Sequence, residues 1–355
     1  MEKAPRKRPF IEAKFKAQKL AFAPLTFQAA IAMRDLGILA ELDRCKEVGI
    51  TAAAMVDVLK LTPYAVETLL EVGVSAELVQ RNDDKYTLST VGYFVLHDKM
   101  TRIHTDFVND VCYKGAHALK ESFQTSKPAG LKEFGDWPTI YDGLSSLPKG
   151  VQKSWFEFDH FYSDYAFDIA LKLVFKDGPK HLLDIGGNTG KWVQKCLDHL
   201  PANKVSVFDL PGQINMIREN VTDEDKVDRL SLYPGNVLDP MMPLPTGMQA
   251  IWMSQFLDCF SKDEIIGILK KAARAADENC AIYILEPLWD LQKFAAASYS
   301  LNHISLYFTC MANGNSKMYS FAEFKACIAE SGLVLTEVHH DLGPHSYTLL
   351  ECRIA

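Results

Sequence analysis

Beyond residue 180 the apolar positions fall in short unbroken runs, separated by longer segments where they recur every three or four residues. Runs of the first kind fit strands buried on both faces, and the second spacing fits amphipathic helices. His181–Gly186, Val205–Leu210, Leu230–Tyr233, Ala250–Ser254 and Ala281–Glu286 read as strands. Trp192, Val193, Cys196, Leu197 and Leu200 mark the helix after the first strand, and Ile214–Glu219, Lys262–Ala275 and Phe321–Ser331 read as three more. Leu333–His339 and Tyr347–Arg353 close the series as a possible antiparallel edge hairpin. Strands alternating with helices predict an α/β fold with a doubly wound, mostly parallel Rossmann-like sheet over residues 179–355.

The N-terminal pattern differs. Phe27, Ile31, Leu36, Ile38, Leu39 and Leu42 keep helical spacing, interrupted by Gly37. Short helices follow at Ala52–Leu59 and from Pro63 to about Glu71, the second with Thr62 as N-cap and Pro63 in its first turn. Leu78-Val79 and Tyr86–Leu88 flank Asn82-Asp83-Asp84 as a hairpin. Residues 24–100 thus read as an α-helical, winged-helix-like domain. Residues 101–178 read as a helical connector whose aromatics (Trp155, Phe156, Phe158, Phe161, Tyr162) either roof a site or simply pack a core. Lys3, Arg6, Lys7, Arg8, Lys14, Lys16 and Lys19 against Glu2 and Glu12 make residues 1–23 a basic, solvated arm.

A chain of 355 residues exceeds one ordinary core, which agrees with two domains. The formal charge of −7 argues against nucleic acid as the main partner. The winged-helix segment sharpens this, because its expected recognition helix carries Glu67 and Glu71 and no Lys or Arg, whereas phosphate contact needs cations. The eight cysteines show no CxxC spacing, so reduced thiols in a cytoplasmic protein are expected rather than a disulfide frame or a metal site. Phe294–Ser316 is long and charge-free but carries Ser298, Ser300, Asn302, His303 and Asn313, which are costly in lipid; no membrane partner is expected. This stretch and Met241–Leu257 read instead as walls of an apolar acceptor pocket.

The most informative segment is Leu183-Asp184-Ile185-Gly186-Gly187-Asn188-Thr189-Gly190. A strand running through glycines into a helix lets backbone approach a ligand, and Asp209 at the tip of the next strand can accept hydrogen bonds from two ribose hydroxyls. The glycines do not follow the Gly-x-Gly-x-x-Gly spacing of a pyrophosphate turn, and Asp184 suits an ammonium better than a phosphate. Together these features favour S-adenosyl-L-methionine over a dinucleotide.

On these residues the chain resembles the class I S-adenosylmethionine-dependent O-methyltransferases of the plant caffeate, acetylserotonin and bacterial polyketide-tailoring type. The resemblance is carried by Leu36-Gly37-Ile38, Tyr86–Ser89, Leu183–Gly187, Phe208-Asp209-Leu210-Pro211, Gly235-Asn236-Val237, Leu257–Glu264 and Leu285-Glu286, in family order. It implies O-methylation of a small, aromatic, hydroxylated acceptor by a homodimer joined through its N-terminal domains. It also implies that Asp184, Gly186 and Gly187 hold the methionine end of the cofactor, Asp209 the ribose, and Leu210, Asn236 and Val237 the adenine, with Ser254 where the family commonly has Lys. The family's catalytic base is the His of Leu-His-Asp-Trp-Ser, and this chain has Asp258 in that position, within Leu257-Asp258-Cys259-Phe260-Ser261. Glu286 stands where the family has a supporting acid, and reads either as that acid or as a strand-end carboxylate hydrogen-bonded to backbone, while the second supporting acid is absent from Asn315–Ser320. His303, in the charge-free helix, is a substitute base or a satisfied core residue. Three outcomes follow: Asp258 is a desolvated base, transfer proceeds by alignment alone, or the chain binds cofactor without methylating. A winged-helix regulator that binds DNA is a further alternative.

Overall fold

The computed structural model describes residues 7–163, 165–199 and 202–355. Glu2, Lys3 and Arg6 of the expected arm and Leu200 of the expected helix lie outside the described residues, as do the side chains of Lys7, Arg8 and Tyr162. The chain divides into two compact units, Met1–Asp106 and Phe107–Ala355.

In the first unit the segment expected as a solvated arm is helical: one helix runs from Lys7 to Asp35 with Pro24 inside it. Its residues 9–25 are exposed, including Phe10, Ile11, Phe15, Leu20, Phe22 and Leu25. The rest of the unit follows the winged-helix order. Helix Ile38–Cys45 leads to β1 (Ile50–Thr51), helices Ala52–Leu59 and Pro63–Ser75, then β2 (Val79–Asn82) and β3 (Lys85–Leu88). Thr51 and Thr62 cap their helices by accepting from the N–H groups of Ala54 and Ala65, each at 3.2 Å. β1, too short to read from sequence, pairs with β3 and turns the expected hairpin into three antiparallel strands. Met33, Ile38, Leu39, Leu42, Met55, Val66 and Leu70 fill the core beneath them.

The second unit is built on a seven-stranded sheet. Its strands are β4 (His181–Ile185), β5 (Lys204–Asp209), β6 (Leu230–Pro234), β7 (Ala250–Ser254), β8 (Ala281–Glu286), β9 (Leu333–Leu342) and β10 (Tyr347–Ile354). They lie in the order β6-β5-β4-β7-β8-β10-β9. The first five are parallel, whereas β10 runs antiparallel between β8 and β9. The final hairpin is therefore inserted through its second strand, which buries Tyr347–Cys352 completely. Chain order reverses direction at β4 and β7, and a doubly wound sheet opens a crevice at the C-terminal tips of such strands. Asp184, Asp209, Ser254 and Glu286 sit at or beside those tips.

Candidate functional site

At the tip of β4 the backbone turns through Gly186, whose φ of 83° lies in the left-handed region. A Cβ there would stand 2.2 Å from Cδ2 of Phe256, and one on Gly187 would stand 2.7 Å from Val207. Both positions therefore exclude side chains: the first so that the Phe256 ring can lie against the turn, the second so that the turn can pack on β5. Asn188, also at positive φ, donates its N–H to Asp209 at 2.9 Å and its side-chain amide to Asp159 at 2.8 Å. The N–H of Leu210 donates to the other oxygen of Asp209 at 2.7 Å. Desolvation in the crevice pushes the Asp209 carboxyl up to about 6, against the lowering effect of these two bonds.

Asp184 is buried, and its Oδ2 has no hydrogen-bond partner. Burial, with the charge of Asp209 beside it, pushes its carboxyl well above the usual range. It lines a small cavity of about 60 Å³ together with Gly186, Gly187, Trp192, Trp252 and Ser254. The indole nitrogens of both tryptophans and the Ser254 hydroxyl are likewise buried without partners. The two indoles stack at 4.0 Å between centroids. One unpaired acid beside three unpaired donors matches what the ammonium and carboxylate of an amino acid require.

A larger cavity of about 470 Å³ adjoins it, sharing Asp159, Gly186, Asn188 and Gln255 in its wall. Asp209, Leu210, Asn236 and Val237 line one part; Tyr141, Trp155, Phe158, Phe256, Tyr307 and Met318 are among the residues lining the rest. Asp258 also faces this space. It is carried on a short turn, Leu257–Cys259, between β7 and the helix Lys262–Ala275.

Four sets of bonds fix that turn. Glu286 Oε1 accepts from the N–H groups of Phe256 and Leu257 at 3.1 and 2.9 Å. Asn313 donates its side-chain amide to the Cys259 carbonyl, and Tyr319 donates its hydroxyl to the Phe260 carbonyl. Ser261 and Glu264 form a capping box at the start of the following helix. Asp258 and Glu286 each retain one buried oxygen without a partner. Burial pushes Asp258 up to about 7. Burial and the Asp258 charge push Glu286 well above the usual carboxyl range.

The structure thus brings ten of the eleven expected residues to one crevice, with Glu286 behind the wall rather than in it. The exception is His303. It is exposed, its Nδ1 lies 2.7 Å from the Tyr299 carbonyl, and its ring lies tilted against that of Tyr299, 4.0 Å between centroids. The buried side of that helix is Leu301, Ile304 and Tyr307, which turns residue 303 away from the cavity. Of the two stretches expected to wall the pocket, Gln255 and Phe256 of the first and Tyr307, Phe308, Asn313 and Asn315 of the second reach it. Met241 is exposed, and Ala250–Met253 are core strand. Sequence reasoning missed Tyr141, Asp142, Asp159 and Met318, and included Gln255 and Asn313 only as members of an expected wall. Gln255 offers a signal only in three dimensions, where positive φ aims its amide at the Tyr347 hydroxyl.

Comparison with known proteins agrees with this geometry. Residues 14–86 match a Dimerisation2-like domain, and residues 165–334 match an O-methyltransferase domain. The chain thus carries, in this order, a segment like a Dimerisation2-like domain and one like an O-methyltransferase domain. Its curated relatives include demethylspheroidene O-methyltransferase of Cereibacter sphaeroides, 24% identical over 67% of this chain and 62% of that protein. Another is norreticuline-7-O-methyltransferase of Papaver somniferum, 26% identical over 45% of this chain and 42% of that one. The match to mitomycin biosynthesis 6-O-methyltransferase of Streptomyces lavendulae spans 44% of this chain and 42% of that protein at 24% identity, so the chain aligns with only about half the length of these relatives. Among solved structures, mitomycin 7-O-methyltransferase superposes with a TM-score of 0.72 at 19% identity, covering 98% of this chain and 99% of that one. Human N-acetylserotonin methyltransferase, solved with S-adenosylmethionine, superposes at 0.62 with 14% identity over the full length of both. These likenesses concern the fold.

Proposed function

We propose that the protein is an S-adenosylmethionine-dependent O-methyltransferase acting on a small, aromatic, hydroxylated molecule. The observation that carries this reading is the unpaired Asp184 carboxylate beside unpaired donors, opening onto a larger cavity faced by a second buried acid. Asp184, Ser254 and the glycine turn would hold the amino-acid end of the cofactor, Asp209 its ribose, and Leu210, Asn236 and Val237 its adenine. The bound cofactor supplies an electrophilic methyl group on a sulfonium, which leaves as a neutral thioether.

The chain's own task is to orient an acceptor hydroxyl and remove its proton. Asp258 faces the aromatic half of the cavity, and with its carboxyl raised to about 7 it is a far better base near neutrality than an ordinary Asp. Glu286 holds the turn through Oε1, and burial together with the Asp258 charge raises its carboxyl well above the usual range, which favours its neutral form beside an ionised Asp258. Trp155, Phe158, Phe256 and Tyr307 exclude water and offer flat apolar walls to an arene. Relatives are named as O-methyltransferases of mitomycin biosynthesis, of demethylspheroidene and of norreticuline, which supports oxygen as the atom methylated. In differential scanning fluorimetry, S-adenosylhomocysteine at 100 times its Kd should stabilise the protein by about 2.7 kcal/mol. No shift at millimolar ligand would end the cofactor reading. A shift without methyl transfer to any hydroxyarene in a broad set would leave a cofactor-binding homologue.

The same reading places two copies together through their N-terminal domains. The exposed apolar residues of helix Lys7–Asp35 and the family match over 14–86 support it. Analytical ultracentrifugation at micromolar concentration should find a dimer of about 80 kDa, twice the 39.8 kDa chain, and a monomer would refute the pairing. Among the described residues no helix is long and apolar enough to cross a membrane. All eight cysteines are free, which suits a reducing cytoplasm.

A further inference from the structure

The larger cavity carries charge of one sign only. Asp142, Asp159, Asp209, Asp258 and Glu264 line it, and among the described residues no Lys, Arg or His does. Two of these acids are helix caps. Asp142 accepts from the N–H and hydroxyl of Thr139 at 3.2 and 2.8 Å, and Glu264 from those of Ser261 at 2.8 and 2.7 Å. Each cap uses a single carboxylate oxygen, and the charge remains. Asp258 is 2% exposed and its Oδ2 has no partner at all. The side-chain donors in the wall are neutral, among them the amides of Gln213, Asn236 and Asn315 and the hydroxyls of Tyr141 and Tyr307.

A carboxylate, sulfate or phosphate on an incoming molecule would lose its hydration here and find no cationic side chain to replace it. It would also meet like charges, an arrangement that proteins use to reject wrong partners. A protonated amine would gain what the anion loses. We infer that the acceptor is a hydroxyarene whose other substituents are neutral or bear a protonated amine, and that the cavity excludes hydroxy acids and phosphorylated or sulfated phenols. This rests on the methyltransferase reading above and narrows its substrate class.

The test uses three para-hydroxyphenyl compounds of equal length ending in a carboxylate, a carboxamide or a primary ammonium. Each is titrated calorimetrically into full-length protein loaded with S-adenosylhomocysteine. The amide and the amine should bind, the amine at least as tightly, and the acid should bind at least about tenfold more weakly than the amide. In the double variant Asp142→Asn/Glu264→Gln, whose side chains can still cap, the gap between acid and amide should shrink to about threefold or less. An acid that binds as tightly as its amide, an unchanged gap in the double variant, or no binding by the amide and amine at millimolar concentration each overturns the inference. Failure of the protein to load with S-adenosylhomocysteine instead overturns the cofactor reading, so the two failures are distinguishable.

Discussion

Replacing Asp258 by Asn is expected to lower methyl transfer at pH 7 by about 10²- to 10³-fold on a phenol of ordinary acidity, the range of general-base catalysis. In the native protein kcat/KM should climb with pH and level off near pH 7, where the Asp258 carboxyl gives up its proton. In the variant the climb should move to the acceptor's own pKa, near 10 for a simple phenol. A nitrophenol that ionises by itself below pH 7 should be methylated almost equally by both proteins. This contrast separates a base from a group that merely aligns the acceptor, because loss of alignment would penalise both acceptors alike. If the variant loses less than about threefold on the ordinary phenol, transfer proceeds by proximity and Asp258 is not the base.

The same substitution has an opposite effect on stability. An acid whose folded pKa exceeds its unfolded one binds more protons when folded, so its ionisation destabilises the fold as pH rises between the two values. For Asp258 that window runs from about 4 to about 7, and the penalty is constant above it. Asp258→Asn should therefore stabilise the ligand-free protein at pH 8 by roughly 2 to 4 kcal/mol and leave it unchanged below pH 4. Urea titrations at the two pH values would read both numbers. A variant less active but more stable is the signature of a buried functional charge.

Strand tips were the legible part of this site. A strand buried on both faces appears in sequence as an apolar run, and a glycine or a lone acid at its end stands out against it; Asp184 and Asp209 are of that kind. The turn that carries Asp258 was legible for another reason, since Leu257–Ser261 stands where the resembled family reads Leu-His-Asp-Trp-Ser; the capping box of Ser261 and Glu264 that fixes where the next helix begins is a structural finding. The orientation of His303 was not, because Ser298, Ser300, Asn302 and Ser305 put polar residues all round its helix and leave no apolar stripe to read. Tyr141, Asp142, Asn313 and Met318 come from short turns far apart in the chain, where no periodicity exists, and only the fold gathers them. The position of β10 between β8 and β9 was equally hidden, because pairing order depends on long-range contacts rather than local pattern. The helical start at Lys7 was obscured by Pro24, which here is accommodated inside a continuous helix.

Asp184→Asn should weaken binding of S-adenosylhomocysteine about 30-fold or more, since truncating one partner of a buried charge pair costs about 2 kcal/mol or more. In the ligand-free protein the carboxyl is held well above its usual range by burial and by Asp209, and its Oδ2 bonds to nothing. A ligand ammonium placed there favours the ionised form, so binding drives off a proton. Affinity of the native protein should accordingly rise as pH increases toward the ligand-free pKa of Asp184 and then flatten. The Asn variant lacks this proton release, and its residual pH dependence should be shallower. Methylthioadenosine, which shares the nucleoside but lacks the amino-acid end, supplies the control: its affinity should be nearly equal for the two proteins. If both ligands weaken together, the substitution has damaged the turn itself. If neither weakens, Asp184 does not hold an ammonium, and the carboxylate at the tip of β4 serves only the sheet beneath it.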